Sequence, residues 1–578
     1  MSVSIRAQSI MPRSRPNLRR FLIFGVAFLM LGPACTSPPP APAVDRGASA
    51  PATTASEPRG TLKMAWSREA ETLSPKFLAG GMAGEYTWMF SSALVMRDFG
   101  NNPRPMLARE MPTQENGDWV INPDGSMVTT YRLREDARWH DGMPITAADF
   151  AFAYRVYTDP TMPVGVRHPE SLMSSVEARD DHTLVINWRE SFTGANALGY
   201  RQLHPLPSHI LAEKYSTNRE QFASGDEWTY RFVGSGPYKV ESWEPGSHVI
   251  ARAHREFVTM PKIDRIEIRF IADQNTILAN LLADEIDFAV LLAAQAVVAN
   301  EQWVAQGKGY LSTWSKGMQF FNFQFREVPN RQRAMSDVRV RQALAHAVDR
   351  PALADVSTFG LGRVADAYVA PAEPFFEEVD RTVTKYPYDL NRAAALLAEA
   401  GWRRSGTTGP LTNTAGEPFD IVVQGDQRAL IIADGWKLAG LNATPFEVPS
   451  ARARDNEFVN SFPGVQLLGN TISQEELSVV SSKLPTAELN WMGSNRGSFV
   501  DAEIDRLHGI ILTSLNPSER LQAIVAVHKR VSELVPYQPL YYSAETALAK
   551  NFVKGPFAEA VGFQSGVTWN VYEWDLTN

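Results

Sequence analysis

Histidines beside acids or other histidines are the residues of this chain that could do acid–base or metal chemistry. His140 precedes Asp141, but neighbouring residues on an extended strand point to opposite faces, so a turn is predicted rather than a catalytic pair. His528 lies on the apolar side of a helical pattern, which predicts a core histidine. His204 and His209 flank two prolines, and a metal pair there is an alternative that we do not adopt. The sequence holds no G-x-S-x-G, H-E-x-x-H or C-x-x-C, so we predict no catalytic residue, no metal site and no cofactor.

Length and charge limit the number of domains and the kind of partner expected for this protein. A chain of 578 residues is too long for one core, and roughly two to four domains are expected. The net charge is −8, and residues 1–35 hold five arginines and no acid, which leaves −13 on residues 36–578 (−8 minus five). Such a balance argues against nucleic acid or an anionic membrane surface as the main partner.

The N-terminus has the pattern of an export signal. Four arginines between residues 13 and 20 precede an unbroken apolar run over residues 21–31, which is too short to span a bilayer. Cys35 follows directly and is the single cysteine, so no intrachain disulfide is possible. The segment resembles a bacterial lipoprotein signal, and we predict a signal peptide over residues 1–35 with lipidation at Cys35. Cleavage nearby, releasing a soluble protein, is the alternative; the proline-rich residues 36–60 are predicted to form a tether.

Short local signals place turns and helix starts. In WHDGMPITAADF, residues 139–150, Asp141 and Gly142 predict a turn, and Thr146 with Asp149 predicts a capping box that opens a helix. A single amphipathic helix is predicted over residues 336–350, capped by Ser336 or Asp337. Two more helices are predicted, one between an Asp389 N-cap and a Gly401 C-cap, the other beginning at Asn516-Pro517.

Five short motifs follow one another along the chain. They are W-x-D-G-x-P-x-T-A-x-D at residues 139–149, G-S-G-P-Y at 234–238, D-x-R-V-R-x-A at 337–343, A-G-W at 400–402 and the closing V-K-G at 553–555. Together they resemble the extracytoplasmic solute-binding proteins of family 5, the peptide, dipeptide and nickel binders of ABC importers. The resemblance spans residues 61–556, and it implies that Gly234 and Gly236 mark a tight crossing of the chain.

The resemblance also implies a fold and its division into lobes. We expect an α/β protein with the periplasmic-binding-protein type II bilobed fold and an additional inserted subdomain. The implied bounds are a discontinuous lobe I at residues 61–98, 231–316 and 540–578, a small subdomain II at 99–230, and lobe III at 317–539.

The ligand-binding residues are likewise expectations from the resemblance. Residues 79–88, 318–323 and 462–491 match stretches that line the family's cleft, and Gly80, Gly81 and Gly84 would allow close backbone approach. The alternating segment MQFFNF should place Phe320 and Asn322 on one face and Gln319, Phe321 and Phe323 on the other. The predicted ligand contacts are Glu85, Tyr86, Trp88, Phe320, Asn322, Gln466 and Trp491.

One departure from the family concerns the ligand's charge. Peptide-binding members hold the ligand's α-amino group with an aspartate in the third stretch, where this chain has none before Trp491. Glu475 and Glu476 are the nearest acids and are predicted to start a helix. Since a buried ammonium needs a paired carboxylate, either another acid such as Glu85 serves or the ligand is not an ordinary free-amine peptide. Nickel-chelate binding has no better support, because no histidine cluster is visible.

The function implied is solute capture rather than catalysis. We expect a monomeric, lipid-anchored extracytoplasmic protein that binds a peptide or related small oligomeric solute, closes about a hinge and delivers it to an ABC permease in the inner membrane. A sensory or scaffold lipoprotein of the same fold is the alternative, and a secreted hydrolase is the second one.

Overall fold

The computed structural model describes residues 60–77, 83–97, 102–164, 167–315, 317–404, 406, 409–471, 477–555 and 566–577. The predicted signal peptide with Cys35, and also Gly80, Gly81, Glu475 and Glu476, lie outside these ranges. Pro58–Asn578 form one compact unit. No described helix is both long enough and apolar enough to cross a membrane.

The described ranges alternate between strands and helices, here numbered in chain order. The strands are β1 (Thr61–Trp66), β2 (Val95–Arg97), β3 (Pro103–Pro105), β4 (Trp119–Ile121), β5 (Met127–Arg132), β6 (Met173–Asp180), β7 (Thr183–Trp188), β8 (Tyr238–Glu244), β9 (His248–Ala253), β10 (Arg265–Phe270), β11 (Phe288–Leu291), β12 (Gly309–Trp314), β13 (Gly317–Phe323), β14 (Arg363–Val364), β15 (Arg403–Arg404), β16 (Leu411–Thr412), β17 (Asp420–Gln424), β18 (Asn442–Phe446), β19 (Val465–Thr471), β20 (Tyr537–Tyr542), β21 (Glu545–Lys550), β22 (Val553–Lys554) and β23 (Asp575–Leu576). The helices are α1 (Ala83–Phe90), α2 (Ala147–Thr158), α3 (Ser208–Thr217), α4 (Arg219–Ala223), α5 (Gln274–Leu282), α6 (Ala293–Gln302), α7 (Val338–His346), α8 (Arg350–Thr358), α9 (Phe376–Thr382), α10 (Leu390–Glu399), α11 (Arg428–Leu438), α12 (Asn456–Asn460), α13 (Ala502–Thr513) and α14 (Pro517–Leu534).

A seven-stranded sheet, ordered β12-β21-β11-β1-β10-β9-β8, is the centre of the body that we call lobe I. Its middle strand β1 is parallel to β10 and β11. Leu62 and Met64 face one core, whereas Ala65 faces a second core that contains Leu548. Burial on both faces explains why the run TLKMAW is apolar almost throughout.

A six-stranded sheet, ordered β14-β20-β13-β19-β17-β18, is the centre of lobe III. Phe321 and Phe323 of β13 pack with Trp436 of α11, whereas Phe320 packs with Val527 of α14 on the other face. The alternation predicted for MQFFNF is therefore confirmed. The sheet continues along β20 to Tyr542, three residues past the bound predicted for lobe III.

The residues 139–150 belong to subdomain II, built on the sheet β4-β5-β7-β6. Gly142 has a φ of 87°, as the predicted turn requires, and Thr146 is the N-cap of α2. Asp149 Oδ2 accepts hydrogen bonds from Thr146 N at 2.9 Å and Trp139 Nε1 at 3.2 Å. Its Oδ1 accepts from Ser208 N at 3.0 Å, so this carboxylate joins the turn, α2 and α3. The predicted turn and capping box are confirmed.

His140 fixes the crossing of the chain at Gly234 and Gly236. A Cβ on Gly236 would lie 2.4 Å from the backbone carbon of Phe90, so the predicted tight crossing is confirmed. Gly234 N donates to His140 Nδ1 at 3.0 Å, and Nε2 lies 3.1 Å from Gly236 O, which assigns the ring proton to Nε2. Burial lowers the pKa of His140 to about 3, so the ring is neutral and structural.

The predicted helices are confirmed at their starts, and one is wrong at its end. Asp389 accepts from Arg392 N and Asn516 from Ser518 N, as capping residues do. The helix capped by Asp337 stops at His346, because Asp349 caps a new helix, α8, that has proline in its first turn.

Candidate ligand-binding cleft

Two adjacent stretches of chain join lobe I to lobe III. β12 ends at Trp314 in lobe I and β13 begins at Gly317 in lobe III, while β20 ends at Tyr542 and β21 begins at Glu545. The stretches run antiparallel, with Trp314 paired to Glu545 and Ser543 N donating to Gly317 O at 2.8 Å. Their ends are three residues apart in sequence, so the connection is short and narrow.

The strand directions decide which edges of the two sheets face these crossings. In lobe I, β12 is antiparallel to β21, which is antiparallel to β11, so β12 runs with β11, β1 and β10 and ends at the crossing. In lobe III, β19 and β20 are both antiparallel to β13, and β17 and β18 run with β19. Both sheets therefore direct the carboxyl ends of their parallel strands towards the crossings. Ligands of open α/β sheets bind at such ends.

A polar group that we call the hinge-side cluster lies near this edge of lobe III; its members are Gln319, Asp426, Arg428, Tyr541 and Ser543. Arg428 Nη1 contacts Gln319 Oε1 and lies 3.2 Å from the Tyr541 hydroxyl, while Nη2 donates to Asp426 Oδ2 at 2.7 Å. Gln319 Nε2 donates to Ser543 Oγ at 3.4 Å. The sequence analysis did not select Arg428 or Asp426; the signal that could have found them is the run GDQR directly after β17.

The helix α1 carries the three predicted residues of lobe I on two different faces. Tyr86 is 2% exposed, belongs to the main core and donates its hydroxyl to Arg68 O at 2.8 Å. Glu85 and Trp88 are three positions apart and share the other face. The Trp88 ring stacks on Tyr200 of subdomain II, with ring centres 6.0 Å apart and planes 26° apart.

Glu85 is a buried acid in the first turn of α1. The residue is 6% exposed, and its backbone oxygen accepts from Thr568 Oγ1 at 2.8 Å. Among the described residues, no donor lies within hydrogen-bond distance of Oε2. Burial raises the pKa of Tyr200 to about 12, and the negative charge of Glu85 contributes in the same direction.

Of the four predicted residues of lobe III, one is a core residue and three lie away from the crossings. Phe320 is fully buried between Tyr368 and Tyr537, at ring distances of 6.2 Å and 5.5 Å. Asn322 and Gln466 are paired on β13 and β19, each 4% exposed. Asn322 stands five residues along β13 from the crossing, or roughly 17 Å at the usual strand rise.

Trp491 belongs to the same far end of lobe III. It is half-buried, with a φ of 58°, and its backbone oxygen accepts from Asn460 Nδ2 at 2.9 Å. The Arg326 guanidinium lies 4.8 Å from the Trp491 ring centre. The structure thus brings Asn322, Gln466 and Trp491 to one end of lobe III and leaves Glu85 and Trp88 in lobe I.

The histidines make structural contacts. His204 is fully buried and accepts from Arg201 N at 3.2 Å, whereas His209 Nε2 lies 2.8 Å from Asp141 Oδ2. His528 is 2% exposed in the core of lobe III, and burial lowers its pKa to about 3, so the predicted core histidine is confirmed. No group of three or more histidine, cysteine or acidic residues within the described ranges is placed to hold a metal ion.

The chain forms two α/β lobes joined by paired crossings, with the carboxyl ends of the parallel strands directed towards those crossings and a subdomain inserted. These features define the periplasmic-binding-protein type II fold. The predicted fold class is confirmed. The chain belongs to the bacterial extracellular solute-binding proteins, family 5, whose model (described as family 5 Middle) matches residues 102–480. The predicted family is therefore confirmed as well.

Relatives and solved structures cover most of the chain. A Brucella melitensis protein whose name refers to ABC-transporter peptide binding is 24% identical over 515 residues, covering 85% of this chain and 90% of the relative. The Thermus thermophilus oligopeptide-binding protein, solved with a pentapeptide, is similar at a TM-score of 0.69 and 24% identity, covering 90% and 96%. Brucella suis NikA, solved with Fe(III)-EDTA, is similar at a TM-score of 0.72 and 18% identity, covering 89% and 100%.

Proposed function

We propose that this protein captures a solute between lobe I and lobe III and delivers it to an ABC permease. The observation that carries the proposal is the pair of opposed sheet edges beside a two-stranded connection. Such an arrangement binds a ligand by contacts from both lobes and needs no covalent chemistry, so we propose a non-enzymatic role. The solute is a peptide or a related small oligomer, in keeping with the names of the relatives.

Closure about the two crossings is the proposed motion. A connection of two short strands lets two rigid bodies rotate by changing few backbone dihedrals. A Cβ on Gly317 would lie 2.7 Å from Asn470 O of β19, so the first residue after the crossing packs tightly within lobe III. A ligand that contacts both lobes favours the closed state by its differential affinity.

The proposed contacts draw on both lobes. From lobe I we keep Glu85 and Trp88, and from lobe III we add the hinge-side cluster. Asn322, Gln466 and Trp491 remain proposed contacts for a ligand long enough to reach the far end of lobe III. We assign Tyr86 and Phe320 to packing beneath the site, because both side chains are buried among core residues.

Membrane attachment through a lipidated Cys35 is part of the proposal. The exported chain would then be a monomer held at the membrane, with residues 36–60 as the tether. Replacing Cys35 by serine should move the protein from the membrane fraction to the soluble fraction, and light scattering should report a monomer. A Cys35→Ser protein that stays with the membrane would contradict lipid anchoring.

Ligand capture is tested on gently purified protein. Native mass spectrometry should show a carried solute, and a library of di- to pentapeptides should contain members that raise the melting temperature. Small-angle scattering should then report a smaller radius of gyration with the same peptide. A protein that is empty and gains no stability from any peptide or sugar would contradict solute capture.

A further inference from the structure

A groove of about 420 Å³ lies between lobe I and subdomain II, at the edge of the lobe I sheet that points away from the crossings. Because β10 is parallel to β1 and β9 is antiparallel to β10, the carboxyl end of β9 and the amino end of β8 lie at that far edge. Lys239 at the start of β8 and residues 252–256 form the lobe I wall, and the turn at Asp141 and Gly142 forms the opposite wall. The groove is therefore separate from the proposed cleft.

Most charged side chains around the groove are paired within the fold. Three pairs account for them: Asp141 with His209, Arg252 with Glu241, and Arg255 with Asp264. Lys239 and Glu256 also line the groove, yet neither forms an ion pair with a residue that the structure describes. The groove thus holds one uncompensated positive charge and one uncompensated negative charge.

Beside these charges, the wall of the groove contains a hydrogen-bond acceptor without a donor. His254 is 2% exposed, and its Nδ1 lies 3.3 Å from Gly236 O, so Nδ1 carries the proton and Nε2 is the acceptor. Within the described ranges, Nε2 has no hydrogen-bond partner. Burial lowers the pKa of His254; the charge of Lys239 adds to this shift and that of Glu256 opposes it, so both charged groups lie near the ring. A buried acceptor left unpaired is costly, and a ligand with an N–H group would supply the missing donor.

We propose that this groove is a second binding site, which takes a small zwitterion such as a free amino acid. The ammonium group of the ligand donates to the Glu256 carboxylate and to His254 Nε2, and its carboxylate accepts from Lys239 Nζ. The two charges of the ligand thereby match the two charges that the fold leaves unpaired. The proposal does not depend on solute capture between the lobes, because these residues lie at the opposite edge of the lobe I sheet.

A ligand in the groove contacts two parts of the fold. A Cβ on Gly142 would lie 3.6 Å from Glu256 Oε2, so this carboxylate of lobe I reaches the turn of subdomain II. A zwitterion held by Glu256 therefore lies against both walls. Binding should raise the melting temperature, since the ligand binds only the folded protein.

Glycine is the probe, because it carries both charges and has no side chain that the groove would exclude. Titration calorimetry should show glycine binding to the full chain, whereas acetate and methylammonium, with one charge each, should bind about tenfold more weakly. Lys239→Gln and Glu256→Gln should each weaken glycine binding by about tenfold. Lys262→Gln and Glu244→Gln are matched controls at exposed residues outside the groove, and they should leave the affinity unchanged.

Two outcomes would overturn the proposal. If glycine does not bind, the groove is not a zwitterion site. If glycine binds equally well to Lys239→Gln and Glu256→Gln, it binds elsewhere, the cleft included. Peptide affinity tests the cleft separately: both variants should bind the peptides of the library as the unaltered protein does, so either proposal can fail without the other.

Discussion

His140 should make the stability of the protein depend on pH. Its Nδ1 accepts from Gly234 N, so protonation would remove this acceptor and leave a buried N–H without a partner. The ring also faces another histidine, His254, at 5.1 Å, and Lys239 contributes a further positive potential. Burial, followed by these charges, lowers the pKa of His140 from 6.5 to about 3.

The size of the effect follows from proton linkage. Between pH 6.5 and 3 the unfolded chain binds a proton at this residue that the folded chain does not. The stabilising contribution is therefore complete above pH 6.5 and is lost as the pH falls. Each pH unit in that window is worth about 1.4 kcal/mol, so lowering the pH from 7.5 to 5.0 should remove about 2 kcal/mol through His140 alone.

The assay is urea unfolding of His140→Gln and of the unaltered protein at pH 7.5 and pH 5.0. Glutamine does not titrate, so the variant should lose about 2 kcal/mol less between the two pH values. A His140→Gln protein with the full pH dependence would refute the assignment of a neutral, buried His140.

Three further changes have expected outcomes. Lys76→Met should lower the free energy of unfolding, measured in urea, by about 3–5 kcal/mol, because it leaves the buried Glu170 without its ion-pair partner. Adding Glu170→Leu should restore much of the lost stability. A double variant as unstable as Lys76→Met alone would contradict the prediction. Gly236→Ala should lower the free energy of unfolding by about 1–3 kcal/mol, because the added Cβ would collide with the backbone of Phe90. Gly509→Ala is the control: it has open space in α13 and should raise the free energy of unfolding by roughly 0.5–1 kcal/mol. Equal effects of the two substitutions in calorimetry would count against the tight crossing. Phe320→Ala should lower the melting temperature of the ligand-free protein by the equivalent of about 3–5 kcal/mol, and an unchanged value would show that Phe320 is not core.

The helix caps could be predicted, because they depend on residues that are close in sequence. Asp149 is three residues after Thr146 and Asn516 immediately precedes Pro517, so their caps depend on local geometry alone. The helix predicted over residues 336–350 was wrong beyond His346 for a related reason. Asp349 opens a new helix there, and an apolar pattern that continues through the break hides it.

The site could be predicted only in part, because it depends on strand direction. Asn322 and Gln319 are three residues apart on β13, but only Gln319 lies near the crossing to lobe I. Alternation shows which residues share a face, and this prediction held. It does not show which end of a strand faces the other lobe, since that follows from pairing with β19 and β20. Arg428 comes more than a hundred residues later and reaches Gln319 only in the folded protein.

The segment WHDGMPITAADF carries the clearest family pattern, yet its contacts are structural ones that hold neighbouring parts of the fold together. Asp149 ties the turn to α2 and α3, and His140 holds the chain where Gly234 and Gly236 pass Phe90. Phe90 is the last residue of α1, the helix that carries Glu85. The segment therefore fixes the end of α1, and we expect it to act on ligand binding only through the position of that helix. His140→Gln should therefore weaken the binding of any peptide that the unaltered protein binds, and an unchanged affinity in titration calorimetry would contradict this role of the segment.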